Sequence, residues 1–137
     1  ADDLVEISRV GETQLFGQSP ALTQHFIELR GIGVVDVKSL YGIESVKEKA
    51  PIDMIIHLEE WKSEKNYDRL GLNEEYEEIL GVKVVKHTVP IRTGRNLSII
   101  IETAAVNNRQ KKMGYNAAQE LYFRVQNSLA RKREEDE

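Results

Sequence analysis

Cysteine is absent from these 137 residues, which excludes disulfides and thiolate metal sites and is compatible with a reducing compartment. No segment approaches the roughly 20 consecutive apolar residues of a membrane span. Positive charge is in deficit: 19 Lys and Arg against 23 Asp and Glu leave a net charge of -4. That balance argues against a general affinity for nucleic-acid phosphates, although a local basic patch stays open. The three histidines, His25, His57 and His87, fall on unlike segments with no close pair suited to zinc, and they read as packing or surface residues. There is no G-x-S-x-G elbow and no cysteine nucleophile, so triad hydrolysis has no support. None of the nine glycines belongs to a phosphate-cradling G-x-x-x-x-G-K-[ST] loop. Repeats, low-complexity tracts and dividing linkers are also missing. The 40% hydrophobic content suffices for the core of one domain covering residues 1–137. The reading is a soluble, cytoplasmic chain with neither a nucleic acid nor a membrane as partner.

What is present begins with Ile27-Glu28-Leu29-Arg30-Gly31-Ile32-Gly33-Val34-Val35-Asp36, an acid, a base and two glycines set directly before an apolar run. If the backbone is extended through Glu28 and Arg30, both side chains leave the same side and opposite charges meet. The glycines permit backbone angles that other residues resist, and Val34 to Val37 reads as a buried strand anchoring the group. A surface ion pair beside a turn would look the same. A competing helix starts at Ser19-Pro20 and runs through Leu22, Phe26 and Leu29 to stop at Gly31.

Elsewhere, Leu4 to Val10 and Gln14 to Phe16 read as short strands around a turn at Gly11-Glu12, and Ile52 to Leu58 and Val82 to Ile91 as longer ones. Between the latter two, Trp61 to Leu72 reads as a structured loop held down by its aromatic residues, followed by a short helix over Glu74 to Leu80. Asn96 is placed to cap a helix from Leu97 to Met113, with Leu97, Ile100, Ile101, Ala104 and Ala105 as its apolar stripe and Gly114 as its stop. A last helix begins near Asn116, with Gln119 at the reciprocal capping position and Leu121, Tyr122, Val125 and Leu129 as its apolar side. Its charged end from Arg131 to Glu137 reads as a frayed, solvated tail. The opening Ala1-Asp2-Asp3 runs straight into strand-like alternation, so the expectation is a fragment of a longer protein.

Several clusters carry chemistry. Pro90-Ile91-Arg92-Thr93-Gly94-Arg95 sets two guanidinium groups around a glycine before a helix N-terminus, where free amides and the dipole favour an anion such as phosphate. An arginine pair bonded to neighbouring acids is the structural alternative. Asp68-Arg69 is either a turn ion pair or a source of positive charge for a phosphoryl group in transfer. Asp2-Asp3 is either a solvated end or a carboxylate pair, one member accepting a hydroxyl proton and the other holding metal-bound water.

Taken in order, Ala1-Asp2-Asp3, Ile27 to Gly33, Tyr67-Asp68-Arg69-Leu70-Gly71 and Pro90 to Asn96 resemble the bacterial HPr kinase/phosphorylase family, and the similarity spans almost the whole chain. The resemblance implies the later part of a single catalytic domain, an α/β, incomplete phosphate-loop kinase-like core with a mixed sheet and C-terminal helices. It implies a serine kinase that uses Mg2+ and ATP or pyrophosphate to phosphorylate the phosphocarrier protein HPr, and that also runs the reverse phosphorolysis, in carbon catabolite regulation. By the same resemblance Asp3 is the proton acceptor and donor, Glu28 a magnesium ligand with Asp2 assisting, and Arg69 a stabiliser of the transferring phosphate. Ile27 to Asp36 is the catalytic segment, and Pro90 to Arg95 the loop needed for dephosphorylation. A homohexamer with HPr docking near the C-terminal helices is implied for the intact parent. The family's phosphate loop precedes the Asp-Asp pair, so the chain alone is expected to be inactive. Tyr41 to Val46 departs from a smaller, glycine- and alanine-rich family segment, and Thr93 stands where proline is frequent. The alternative from another class is a non-catalytic phosphoprotein- or anion-binding module that keeps the arginine loop.

Overall fold

The computed structural model describes residues 1–67 and 71–136. Its elements are β1 (Glu6–Val10), β2 (Gln14–Gln18), β3 (Phe26–Leu29), β4 (Gly33–Asp36), α1 (Val37–Tyr41), β5 (Lys49–Pro51), β6 (Met54–Glu60), β7 (Glu75–Ile79), β8 (Val82–Ile91), α2 (Leu97–Lys112) and α3 (Ala117–Asp136). Strands form three sheets, ordered β1-β2-β5, β3-β4 and β6-β8-β7. The third is mixed. The Trp61 N–H, just past β6, donates to the Ile91 carbonyl at the end of β8 over 3.1 Å, so these two strands finish side by side, whereas the two-residue β7–β8 hairpin reverses direction.

The chain divides into two compact units, Ala1–Ile55 with Tyr76–Val84, and Ile56–Glu75 with Val85–Glu137. In the first, Leu15 (2% exposed), Val82 and Val84 form the buried cluster, with Ile7, Ile52, Ile55 and Ile79 packed against it. Arg9 ties two turns of this unit together. Its guanidinium donates to the carbonyls of Gly11 (3.0 Å), Glu12 (2.9 Å) and Leu80 (3.0 Å). The Leu80-Gly81 turn has positive φ at both positions, 49° and 80°, as a tight hairpin with this twist requires.

A Cβ added at Gly81 would stand 2.8 Å from Arg9 Nη1. Gly81→Ala is therefore expected to combine left-handed backbone strain with loss of the Arg9 latch, about 2 kcal/mol in all. Thermal unfolding should show a midpoint lowered by roughly 6 °C. In an Arg9→Ala background the same change should cost less, because the latch is already gone.

Several sequence expectations are met. The β1–β2 hairpin, β8 from Val82 to Ile91, the Asn96-capped helix and its stop at Gly114 (φ 99°) all stand where the pattern put them. Others are corrected. No helix starts at Ser19-Pro20; a single 3-10 turn over Ala21–Thr23 carries no side-chain cap, and Phe26 to Leu29 is strand β3. Leu22, meant for the helix's inner face, is 91% exposed. Glu75 to Ile79 is strand β7 rather than part of a helix, because the Leu80-Gly81 turn folds it back onto β8. In α2 the covered positions are Leu97, Ile100, Ala104, Asn107, Asn108 and Lys111, while Ile101 and Ala105 face solvent. The last helix does not fray among the described residues: α3 stays helical to Asp136, with Leu121, Tyr122, Val125 and Leu129 about half exposed.

Candidate functional site

The segment from Ile27 to Asp36 folds as one hairpin. Glu28 pairs with Val34 and Leu29 with Gly33, and the turn between them closes through the Ile32 N–H to the Leu29 carbonyl at 3.0 Å. Gly31 takes φ 88° at the third turn position, where a side chain is disfavoured. Asp36 ends the hairpin by capping α1, accepting from the Ser39 N–H at 3.1 Å.

This geometry settles two readings. Val34 is not part of a buried strand: it is 70% exposed and shares the open face with its partner Glu28, while Ile27 and Val35 occupy the more covered face. Arg30 lies in the turn, outside the strand, and no ion pair joins it to Glu28 among the described residues.

Asp2 is brought to this hairpin directly. Its Oδ2 accepts the backbone N–H of Glu28 at 2.9 Å, so the Ala1-Asp2-Asp3 segment is fastened beside β3. Asp3, the next residue, is exposed and accepts no hydrogen bond from a described residue. Among the described residues no group of three acidic or histidine side chains converges as a complete metal cage.

Asp68, Arg69 and Leu70 lie outside the described residues. The loop before them is ordered by its aromatic side chains. Trp61 and Tyr67 have ring centroids 5.0 Å apart, and the Lys62 N–H donates to the Tyr67 hydroxyl at 3.2 Å. Lys65 Nζ donates to Glu59 Oε1 at 2.7 Å and stands 5.7 Å from the Tyr67 ring centre. The hydrogen bond from Lys65, joined by its charge, lowers the Glu59 pKa below its ordinary 4.5, and the bond to Glu59 raises that of Lys65 above 10.5.

Because the carboxylate pKa is depressed on folding, its contribution is present above 4.5 and is lost as pH falls through the lower folded value. The lysine contribution is present below 10.5 and is lost as pH rises through its raised value. Trp61 emission is therefore expected to hold constant between those limits and to shift red beyond either one.

The second candidate loop has distinct roles for its two arginines. A turn closes through the Arg95 N–H to the Arg92 carbonyl at 3.2 Å, with Gly94 at φ 90° and Thr93 before it. Arg95 Nη1 donates to the Pro90 carbonyl at 2.9 Å and so fastens the loop's two ends. Arg92 instead lies over the Trp61 ring, 5.3 Å from its centre. The Asn96 side chain caps α2 through the Ile99 N–H at 3.3 Å, so the loop leads straight into that helix. The structural alternative of an arginine pair bonded to acids is not what forms among the described residues. Sequence reasoning identified Trp61 only as a loop anchor; its partner, 31 positions later, leaves no local signal.

The mixed sheet with trailing helices defines an α/β protein, and comparison places it more closely. The HPr Serine kinase C-terminal domain model matches residues 1–125, and the chain belongs to that family. HPr kinase/phosphorylase of Lachnoclostridium phytofermentans is 63% identical over 131 residues, covering 96% of this chain and 42% of that relative. The protein of the same name from Caldicellulosiruptor bescii is 56% identical over 131 residues, with the same coverage. The chain thus spans about two-fifths of the length of these relatives. The solved HPr(Ser) kinase/phosphatase of Coxiella burnetii superposes with a TM-score of 0.72 at 32% identity, covering 85% of this chain and 71% of that one.

Proposed function

We propose that the intact parent is a bifunctional serine kinase/phosphorylase acting on HPr, and that this chain supplies its proton-transfer, metal-binding and phosphate-binding groups. The observation that carries the reading is the Asp2–Glu28 contact, which joins the acidic opening segment to the catalytic hairpin and leaves Asp3 open beside it. The family match and the curated relatives' names support the substrate.

In the forward direction Asp3 takes the proton of the HPr serine hydroxyl as its oxygen bonds to the donor's terminal phosphorus and the donor's bridging P–O bond breaks. ATP then leaves as ADP, and pyrophosphate as phosphate. In reverse, inorganic phosphate attacks phosphoserine, Asp3 returns the proton to the departing serine oxygen, and pyrophosphate forms. Such transfers depend on alignment and on positive charge against phosphate oxygens more than on covalent catalysis. Arg69 supplies that charge to the migrating group, and the Pro90–Arg95 loop receives the attacking phosphate.

Glu28 and Asp2 offer hard oxygen donors on adjoining segments without forming a three-ligand cage. That donor set fits Mg2+, which is held by one or two carboxylates together with phosphates and water. When bound, the ion neutralises charge on the donor phosphates. The cytoplasm, a homohexameric parent and a role in carbon catabolite regulation belong to the same reading. No helix among the described residues is long and apolar enough to cross a membrane.

The test is phosphorylation of HPr with ATP and Mg2+ by the full-length parent and by the 137-residue chain. The parent is expected to transfer phosphate in both directions. The chain alone, lacking a G-x-x-x-x-G-K-[ST] loop, is expected to transfer none. A parent that binds phosphate or phosphoserine HPr but transfers nothing would make it an anion-binding module instead.

A further inference from the structure

We propose that Trp61 is a positioning residue for phosphate capture, holding the Arg92 guanidinium over its ring so that its N–H donors stay available to an incoming phosphate. The inference rests on the phosphate-loop reading above and names the residue that orients that loop.

Three observations lead to it. Arg92 lies 5.3 Å from the Trp61 ring centre, and no carboxylate of a described residue pairs with it. The Trp61 main chain is held by its backbone N–H to the Ile91 carbonyl at 3.1 Å, and its ring lies against the Tyr67 ring with centroids 5.0 Å apart. Tyr67 in turn receives the Lys62 N–H, and Lys65 beside it is tied to Glu59. The Trp61 ring is thus one member of a small aromatic and charged cluster with Tyr67 and Lys65.

The chemistry distinguishes this arrangement from an ordinary ion pair. A carboxylate partner would consume the in-plane N–H donors that match phosphate oxygens. A cation–aromatic contact takes up none of the guanidinium N–H donors in a hydrogen bond. It also restricts a long side chain in advance, reducing the rotamer entropy lost when phosphate binds. Arg95, fixed to Pro90 through Nη1, holds the loop's shape, so the two arginines divide capture from scaffolding.

The experiment uses the full-length parent and inorganic phosphate as the probe. Arginines are modified with phenylglyoxal at rising phosphate concentration, and Arg92 modification is followed by peptide mass spectrometry. Phosphate should protect Arg92 in the unaltered protein. Trp61→Leu should raise the half-protecting concentration about fivefold, the effect of losing a half-exposed cation–aromatic contact. Trp61→Phe should retain most of the protection, which a loss of mere bulk or fold would not distinguish by ring character. If Trp61→Leu unfolds, Trp61→Tyr and Trp61→Phe provide the ranking, with Tyr nearer the unaltered protein.

Unchanged protection in folded Trp61→Leu, no ranking between the aromatic variants, or no protection of Arg92 in the unaltered protein would overturn the proposal. Protection that depends on Trp61 in a parent without transferase activity would support it while rejecting the enzymatic reading. Activity with protection indifferent to Trp61 would do the reverse.

Discussion

Asp3→Asn in the full-length parent is expected to slow serine phosphorylation and phosphorolysis alike, by about 10²–10⁴-fold. Both directions share one proton, taken from serine on the way in and returned on the way out, and an amide can do neither. Nucleotide affinity should stay within about twofold, since Asp3 is exposed and the change removes a transition-state role rather than uniform binding. The exposure of Asp3 matters here: a carboxylate with no structural partner among the described residues can be altered without disturbing the fold. Asp2→Asn is a useful contrast. Its carboxylate accepts the Glu28 N–H at 2.9 Å, so that variant should also disturb the hairpin. Rates of Asp3→Asn near those of the parent, measured by phosphate release and by HPr phosphorylation, would reject the assignment.

The second large effect concerns direction. Arg92→Ala is expected to reduce phosphorolysis about 10- to 100-fold, the range for losing charge-assisted hydrogen bonds to one anion, while kinase activity changes far less. Inorganic phosphate is a reactant only in the phosphorolytic direction, so a group that captures it has little to do in the other. Arg95→Ala should impair phosphorolysis as well, through a different cause. Loss of the Nη1 bond to the Pro90 carbonyl releases the turn, and the loop becomes more susceptible to proteolysis. Arg92→Ala should leave proteolysis unchanged, which separates capture from scaffolding. Equal losses in both reaction directions would count against a phosphate-specific role for either residue.

The candidate site was legible in pieces. Glu28 beside its glycines, Asp2-Asp3 and the Pro90–Arg95 turn could be picked out because each is a contiguous run of unusual side chains. Their local structure was legible only where the decisive interaction is also local. The Asn96 cap reaches Ile99, three residues away, and Gly94 stands within its own turn. The Arg30–Glu28 pairing failed because a turn of three residues removed Arg30 from the strand. The Trp61–Arg92 contact could not be read at all, since it joins two loops brought together by the ends of β6 and β8.

Capping groups, turn glycines and the alternation of Val82 to Ile91 act over one to four residues, and the sequence by itself determined what they produce: the ends of α2, the hairpin at Gly11, and the long strand β8. Tertiary structure decided the segments whose local preferences are weak or contradictory. Glu75 to Ile79 became a strand when the Leu80-Gly81 turn gave its backbone groups a partner in β8, and Phe26 to Leu29 did so by pairing with β4. An amide or carbonyl must be satisfied somewhere, and a neighbouring strand outweighs a modest helical tendency once it is within reach. The same nonlocal geometry placed the Trp61 ring, rather than a carboxylate among the described residues, against Arg92.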